Sequence, residues 1–356
     1  MPNKPFVHLI IPQLFQPLKR WTKGYQFDVK SHYLVKLLQN YHSKQQELLG
    51  IHASLFFSIG VSTKAELPVA HFRYQVHCNS LPPKGSLLLC ADPAHLVVGM
   101  SDITLTDKIT DLTFAEANEF IDLLNTHFKQ DGLTFIIGSN SQWYLSVAGV
   151  ETLSTTPIDD VMRKNIAHYQ IHSSQRNWQA LQNEMQMLLH SAPLNQQREM
   201  AGLPSVNSLW LWGGGVPQNI EHSTALVLSD NAISGRMLAT AAQCDYQSHL
   251  NKQNDDSLGT NQNAMSRFDF SKLPMTKTII INESLVEPAI NDDLDAYKAE
   301  LESLDEGLIK PLFELWKDKK INIQIDSCDG KRIQPRPTPR WKFWVKAANS
   351  LTELDL

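Results

Sequence analysis

Phe6-Val-His-Leu-Ile-Ile11 is an almost wholly apolar run near the start of the 356-residue chain. A short run that is apolar on both faces is typical of a strand in a sheet covered by helices on both sides. Similar runs recur between segments with helical spacing, and we interpret them as further strands: Leu55–Ile59, Leu87–Cys90, Leu133–Ile137, Trp143–Val147, Leu209–Trp212, Ala225–Leu228 and Thr278–Ile281.

Three segments have the apolar spacing of amphipathic helices. The first opens at Thr113-Phe-Ala-Glu116, a capping-box pattern in which each of the two polar side chains accepts from the other residue's backbone amide. The second runs from Arg176 to His190, and the third starts near Asp292. Pro311 predicts a break after the third helix, because proline restricts the residue before it.

Two antiparallel hairpins complete the pattern. Leu133–Ile137 and Trp143–Val147 flank Gly138-Ser-Asn-Ser141, and the alternating segment Ile321–Ile325 precedes the turn Cys328-Asp-Gly330. Together with the apolar runs and helices, they predict an α/β protein. Its sheet is expected to be mixed and mostly parallel, covered by helices, with added antiparallel hairpins.

The predicted organisation has three parts. Residues 1–244 form the main α/β region, and residues 276–356 form a C-terminal helix, hairpin and basic-aromatic tail packed on it. Residues 245–275 between them are rich in Asn, Gln, Asp and Ser. Such a segment cannot bury enough apolar surface to offset its ordering entropy, so we expect a mobile surface loop.

Composition limits the function classes. A hydrophobic share of 42% with 19% charged residues is typical of a globular protein with a core. The net charge of −5 argues against a wholesale nucleic-acid binder but leaves room for a local basic patch. The four cysteines are widely spaced and form no CxxC pair, which favours free thiols over a zinc ribbon or a disulfide framework.

No apolar run approaches the roughly 18 residues that a membrane span needs. The apolar segment near the N-terminus also lacks the small-residue cleavage pattern of a signal peptide. We therefore predict no membrane association and a cytoplasmic location.

The segment Asn207-Ser-Leu-Trp-Leu-Trp-Gly-Gly-Gly215 is the first candidate ligand site. Gly213, Gly214 and Gly215 permit positive φ and a close approach of backbone to a ligand. Their free amides would suit an anion such as a phosphate. The alternative is that the glycines only make a tight turn and that Asn207 only bonds backbone.

Ala91-Asp-Pro-Ala-His95 is the second candidate, because it follows a predicted strand. Asp92 and His95 could bind a metal or move a proton, but one such pair supplies only two metal ligands, and aspartate before proline equally starts a turn. If the strands before the two segments run parallel, both loops emerge at one edge of the sheet. Our hypothesis is that Asp92, His95, Asn207 and Gly213–Gly215 then line one pocket.

The stretch from Lys331 to Lys346 carries six cations and no acid, interleaved with Trp341, Phe343 and Trp344. Cations interleaved with aromatic rings suit phosphate contact with base stacking. They equally suit an aromatic anchor with a solvated cationic rim. On the first interpretation, Arg336, Arg340 and Lys342 contact nucleic acid.

Several catalytic motifs are absent from the sequence. It contains no GxSxG elbow, no Walker A loop and no GxGxxG fingerprint. Glu184 and His190 are six residues apart, so they do not share a helical face as in a zinc-binding helix. We assign no catalytic residue and predict no cofactor and no metal.

Four segments resemble those of the RpfE-type regulatory proteins: Ala91–Leu96, Leu181–His190, Asn207–Gly215 and Trp341-Lys-Phe-Trp344. The resemblance implies a phosphoglycerate-mutase-like fold within the alkaline-phosphatase-like superfamily. Metal-dependent mutases of that superfamily lead their first strand into an acidic metal ligand and hold a serine nucleophile on two metals. Here the first strand leads into Pro12-Gln-Leu-Phe15, and no histidine follows His249.

Three functions remain open on the sequence. The first is a catalytically degenerate, regulatory protein that binds an unknown protein partner or a phosphorylated small molecule. The second is a phosphomutase or phosphatase-type enzyme that acts on a phosphorylated metabolite. The third is an accessory protein in nucleic-acid metabolism, which would bind nucleic acid through the C-terminal tail.

Overall fold

The structure is a computed structural model of the whole chain. It describes residues 4–25, 31–45, 50–100, 102–149, 151–173, 175–218, 220, 223–248, 268–337 and 350–351.

The described residues form strands and helices in alternation. The strands are β1 Phe6–Ile10, β2 Tyr41–Gln45, β3 Ser86–Val98, β4 Ile103–Lys108, β5 Leu133–Ser139, β6 Gln142–Ala148, β7 Leu153–Ser154, β8 His172–Ser173, β9 Ser208–Trp212, β10 Thr224–Ser229, β11 Asp245–Ser248, β12 Lys277–Ile281, β13 Asn322–Asp326 and β14 Lys331–Pro335. The helices are α1 Gln16–Tyr25, α2 His32–Leu37, α3 Ile51–Ser58, α4 Val69–Cys78, α5 Phe114–His127, α6 Ile158–Val161, α7 Trp178–His190, α8 Pro193–Met200, α9 Ala232–Ala242, α10 Val286–Ile290, α11 Leu294–Leu304 and α12 Lys310–Lys317.

The chain forms two compact units. Unit 1 contains residues 1–61 and 220–356, and unit 2 contains the continuous segment 62–219. The divisions suggested by composition, after residues 244 and 275, both fall inside unit 1. Unit 1 is formed by strands from both ends of the chain that join one sheet. Local composition does not show which strands pair in this way.

Unit 1 is built on a seven-stranded sheet in the order β11-β10-β12-β1-β13-β14-β2. The pairings from β11 to β13 are parallel, and those of β14 with β13 and with β2 are antiparallel. The hairpin predicted around Cys328-Asp-Gly330 is the β13–β14 hairpin. The predicted fold class, a mixed and mostly parallel sheet with helices and added antiparallel hairpins, is confirmed.

The two faces of β1 have different surroundings because successive side chains of a strand alternate between faces. Val7 and Leu9 belong to an apolar core that includes Trp21 of α1 and Tyr297 of α11. His8 points to the opposite face, where it is 1% exposed and lies among polar groups. This alternation places an ionisable side chain under the centre of the sheet.

Unit 2 is built on an antiparallel sheet in the order β4-β3-β6-β5, with β9 paired to β3. The predicted β5–β6 hairpin and the capping box at Thr113 are present. Asn125 of α5 bonds both the amide and the carbonyl of Phe135, at 2.7 and 2.9 Å. This side chain satisfies the outer backbone groups of β5, which would otherwise be open to pairing with another strand.

Three local predictions need correction. Leu55–Ile59 is not a strand, because residues 51–58 form helix α3, and a short buried apolar run has no periodicity that separates the two. Pro311 does not end the helical segment, because it lies in the first turn of α12, where a missing amide is tolerated. Asp245–Ser248 form β11 rather than a loop, and residues 249–267 lie outside the described residues.

Within the described part of the chain, no helix has both the length and the apolar character needed to cross a membrane.

Candidate functional site

The segments that carry Asp92, His95, Asn207 and Gly213–Gly215 pair in antiparallel fashion. In the β3–β9 ladder, Cys90 faces Trp212 and Ala94 faces Ser208. The glycine turn therefore lies beside the first half of β3, roughly 20 Å from His95 at the rise of an extended strand. The shared pocket required parallel strands, so these six residues do not line one pocket.

The glycine turn is closed by the chain itself. The Gly213 amide donates to Thr155 Oγ1 at 2.9 Å and to Glu66 Oε1 at 3.2 Å. The Gly215 amide donates to the Leu67 carbonyl at 3.0 Å. Burial raises the pKa of Glu66, although the bonds from Thr155 and the glycine amides act in the opposite direction. The Gly213 amide is therefore bonded to side chains of the protein, and the Gly215 amide is bonded to its backbone.

Asp92 lies inside β3 and is 5% exposed. Arg73 of α4 donates to both of its carboxylate oxygens, at 2.7 and 3.0 Å. Trp212 Nε1 donates to Oδ2 at 2.7 Å. The Arg73 guanidinium also lies over the rings of Tyr144 and Trp212, at 5.2 and 5.4 Å. Asp92 therefore neutralises a buried arginine rather than starting a turn.

His77 lies beside this ion pair. Its Nδ1 is 2.6 Å from the Tyr144 hydroxyl. Burial and the positive charge of Arg73 lower the pKa of His77 to about 4, and the charge of Asp92 opposes them. His77 is therefore neutral at pH 7. In the tautomer with its proton on Nε2, Nδ1 accepts a hydrogen bond from the Tyr144 hydroxyl.

His95 and Asn207 meet at the other end of the β3–β9 ladder. His95 Nδ1 lies 2.8 Å from the Ser205 carbonyl. Asn207 accepts from the Leu96 amide at 2.7 Å and donates to the Leu96 carbonyl at 2.8 Å. The asparagine side chain thus extends the backbone ladder by one step. These contacts match the alternative in which Asn207 bonds backbone.

The basic-aromatic tail is described only in part. Arg336 is exposed, and its amide donates to the Asn40 carbonyl at 2.8 Å. Arg340 and Lys342, with the three aromatic residues of the tail, lie outside the described residues.

A different set of polar residues meets at the carboxyl edge of the unit 1 sheet, where α/β proteins place their ligands. Asp230 follows β10, Glu283 lies just beyond β12, and Asp326 ends β13. These three acids are not among the predicted site residues, although each follows a segment predicted as a strand. Asp230 and Glu283 follow the apolar runs Ala225–Leu228 and Thr278–Ile281, and Asp326 follows the alternating segment Ile321–Ile325. An acid shortly after a predicted strand is the signal that could have identified them.

Two of these strand ends are joined by hydrogen bonds. The Glu283 amide donates to both carboxylate oxygens of Asp230 at 2.9 Å. Asn231 Nδ2 donates to Glu283 Oε2 at 2.7 Å, while its own Oδ1 accepts from the amides of Ile233 and Ser234 at the start of α9. The ends of β10 and β12 are therefore held together by side chains that also cap a helix.

Asp326 is the centre of a buried polar cluster on the face that carries His8. It accepts from Arg332 Nε at 2.8 Å, from the Cys328 amide at 2.9 Å and from Ser54 Oγ at 3.3 Å. His8 Nε2 lies 3.8 Å away. Burial would raise the pKa of Asp326, but the bonds and positive charges of these neighbours outweigh it and hold it below its usual value.

The end of β1 contributes no ionisable group to this edge. Ile11 and Pro12 are buried, and Gln13 adopts a positive φ of 63°. The Gln13 carbonyl accepts from the Tyr297 hydroxyl at 2.9 Å. Across the residues that the structure describes, no group of three or more His, Cys, Asp or Glu side chains is arranged to hold a metal ion.

Comparison with known proteins gives a likeness in fold. No protein-family model matches the chain, and no curated protein matches its sequence. The structure of the PH0037 protein from Pyrococcus horikoshii is similar, with a TM-score of 0.54 and 15% identity over 96% of this chain and 89% of that one. The cofactor-independent phosphoglycerate mutase from Thermoplasma acidophilum DSM 1728 matches with a TM-score of 0.44 and 12% identity, over 93% and 89% of the two chains. At these identities the likeness concerns the fold alone.

Proposed function

We propose that the protein is a phosphoglycerate-mutase-like α/β protein that no longer transfers phosphoryl groups and acts by binding a protein partner. The observation that carries this proposal is the engagement of Asp326 by Arg332, Ser54 and the Cys328 amide. Asp326 is 2% exposed; its Oδ1 accepts from Ser54 and the Cys328 amide, and its Oδ2 accepts from Arg332. These bonds and the neighbouring guanidinium charge hold the carboxylate in the fold, which supports a structural rather than a catalytic role.

The other strand ends support the same conclusion. Two-metal phosphoryl transfer needs ligands from several strand ends to hold both ions. Asp230 bonds the Glu283 amide through both oxygens, and β1 ends in apolar residues. The polar side chains of this edge therefore stabilise the sheet and cap α9.

Exposed apolar side chains on unit 2 support the proposal of a partner. The tip of the β3–β4 hairpin exposes four apolar side chains: Val97, Val98, Met100 and Ile103. Val98 is 76% exposed and Met100 is fully exposed. Val98 and Ile103 are opposite each other in the ladder and share one face of the hairpin. Grouped exposed apolar side chains mark interaction sites more often than single ones do. We call these four residues the apolar tip.

The test has two arms, of which the first concerns catalysis. The purified protein, supplied with Mn²⁺, Mg²⁺ or Zn²⁺, is assayed on phosphoglycerate and on p-nitrophenyl phosphate. We expect no turnover above the blank, and the same rate for the wild type and for Asp326→Asn. Metal-dependent turnover that Asp326→Asn abolishes would establish the enzyme alternative instead.

The second arm concerns the partner. A photoreactive residue is placed at Met100 or, as a control, at Met187 of α7, which is 75% exposed. Cross-linking in cells should give a discrete adduct from position 100 and none from position 187. The adduct should disappear when Val98→Asp is added. Adducts that are the same at both positions, or that survive Val98→Asp, contradict partner binding at the apolar tip.

A further inference from the structure

The amino edge of the unit 1 sheet carries cations, in contrast to the acids at its carboxyl edge. Four exposed cations lie there, and we call them the basic edge: Lys317, Lys319, Lys320 and Arg336. Lys317 ends α12, and Lys319 and Lys320 form the turn that leads into β13. The net charge of the whole chain is −5, so this concentration does not follow from overall composition.

The strand register brings these residues together. β14 runs antiparallel to β13, with Ile333 opposite Ile325, so that Arg336 lies level with the first residues of β13. The same end of the sheet carries Lys277, which pairs in register with Phe6. Burial and the charge of Arg332 lower the pKa of Lys277 to about 8, and its Nζ donates to the Ser58 carbonyl. Lys277 is therefore a structural cation, and the basic edge is left to contact solvent.

Two exposed acids, Glu314 and Asp318, lie beside the three lysines, so the four cations keep an excess of positive charge. Asp318 lies within the Lys317–Lys320 segment and pairs with Lys320 at 3.0 Å, through side chains that are 56% and 63% exposed. Exposed pairs of this kind are weak and easily exchanged for another anion. The edge therefore presents cations that an external polyanion can reach.

An aromatic residue directly precedes the lysines of the basic edge in the chain. Trp316 is half-buried, and its carbonyl accepts from the Lys319 amide at 2.9 Å. Its ring packs against Phe313, with centroids 6.0 Å apart, and the side chain keeps a partly exposed surface. Cations that contact a backbone, combined with an aromatic side chain that bases can reach, are the two elements of sequence-independent single-strand binding.

We infer that the basic edge binds the phosphate backbone of single-stranded nucleic acid, with Trp316 available for base stacking. This inference goes beyond the proposed function and involves none of its residues. Duplexes and acidic polypeptides offer charge without unstacked bases. The aromatic neighbour therefore favours a single strand over both.

The test is the anisotropy of a fluorescein-labelled single-stranded oligonucleotide, titrated with the full chain at several salt concentrations. The variant Lys319→Ser/Lys320→Ser/Arg336→Ser is compared with the matched variant Lys64→Ser/Lys84→Ser/Lys129→Ser, whose lysines are exposed on unit 2. Each phosphate contact contributes about 0.7 to the slope of log K against log salt. Loss of three contacts should lower that slope by about 2 and raise Kd at low salt by about tenfold or more.

The matched variant should bind like the wild type, and both variants should melt at the wild-type temperature because the replaced side chains are exposed. Absence of binding at low salt overturns the inference. An equal loss in the two variants shows that only overall charge matters, which also overturns it. If polyglutamate or a duplex competes as strongly as an unlabelled single strand, the basic edge does not prefer single strands, and the inference is overturned.

Discussion

Asp92→Ala is expected to lower the free energy of unfolding by about 3–5 kcal/mol, because removing one member of a buried ion pair leaves the other charge uncompensated. Arg73 is 5% exposed, and its guanidinium gives two bonds to this carboxylate. Without Asp92, the guanidinium would retain the bond to the Trp143 carbonyl, at 3.4 Å, but not its neutralising charge. Trp212 Nε1 would also lose its bond to Asp92. Urea unfolding followed by tryptophan fluorescence measures the loss.

Two further variants test whether the loss of stability comes from the buried ion pair. Asp107→Ala removes an exposed carboxylate of β4 and should change the free energy of unfolding by less than about 0.5 kcal/mol. The double variant Arg73→Met/Asp92→Leu removes both charges and should recover most of the loss, since apolar replacements of buried pairs are often tolerated. A loss below about 1 kcal/mol in Asp92→Ala would mean that water reaches Arg73 in the folded protein.

Gly215→Ala should cost about 3 kcal/mol, at the upper end of what overpacking costs, because the added methyl group meets backbone rather than a movable side chain. A Cβ at this position would lie 2.0 Å from the Glu66 carbonyl oxygen and 2.5 Å from the Leu67 carbonyl carbon. The chain must then shift, which breaks the bond from the Gly215 amide to Leu67. The midpoint of thermal unfolding checks the expectation.

Gly24→Ala is the matched control for this substitution. Gly24 lies in α1, and a Cβ there would meet nothing within 4 Å. Alanine should therefore leave the protein unchanged or stabilise the helix by about 0.5–1 kcal/mol. If Gly215→Ala behaves like Gly24→Ala, close packing does not explain the glycine turn.

The sequence predicted the local elements better than their pairing. The capping box at Thr113 and the β5–β6 hairpin depend on residues within a few positions of each other, so their patterns are visible locally. The direction of β9 relative to β3 depends on a contact between distant segments, and no local pattern reports it. The shared-pocket hypothesis depended on this direction, and it required β3 and β9 to be parallel, whereas they pair in antiparallel fashion.

The glycine turn shows the same limit in chemical terms. A phosphate was the predicted acceptor because three glycines leave backbone donors accessible. The partner, Glu66, lies 147 residues away in the sequence. No local pattern distinguishes an acid at such a distance from the other acidic residues of the chain. The sequence therefore suggested an external anion rather than a side chain of the protein.

The arrangement of the unit 1 sheet also affects how the chain folds as it is made. β1 is synthesised long before both of its neighbours, because β12 and β13 begin more than 270 residues later in the chain. At synthesis rates of about 5–20 residues per second, β1 waits roughly 15–50 s for its first partner. Unit 2 is one continuous segment and has all its strands well before then. An apolar strand of unit 1 therefore lacks both of its strand partners while all the strands of unit 2 are already present, and we expect transient collapse or chaperones to cover its side chains during that interval.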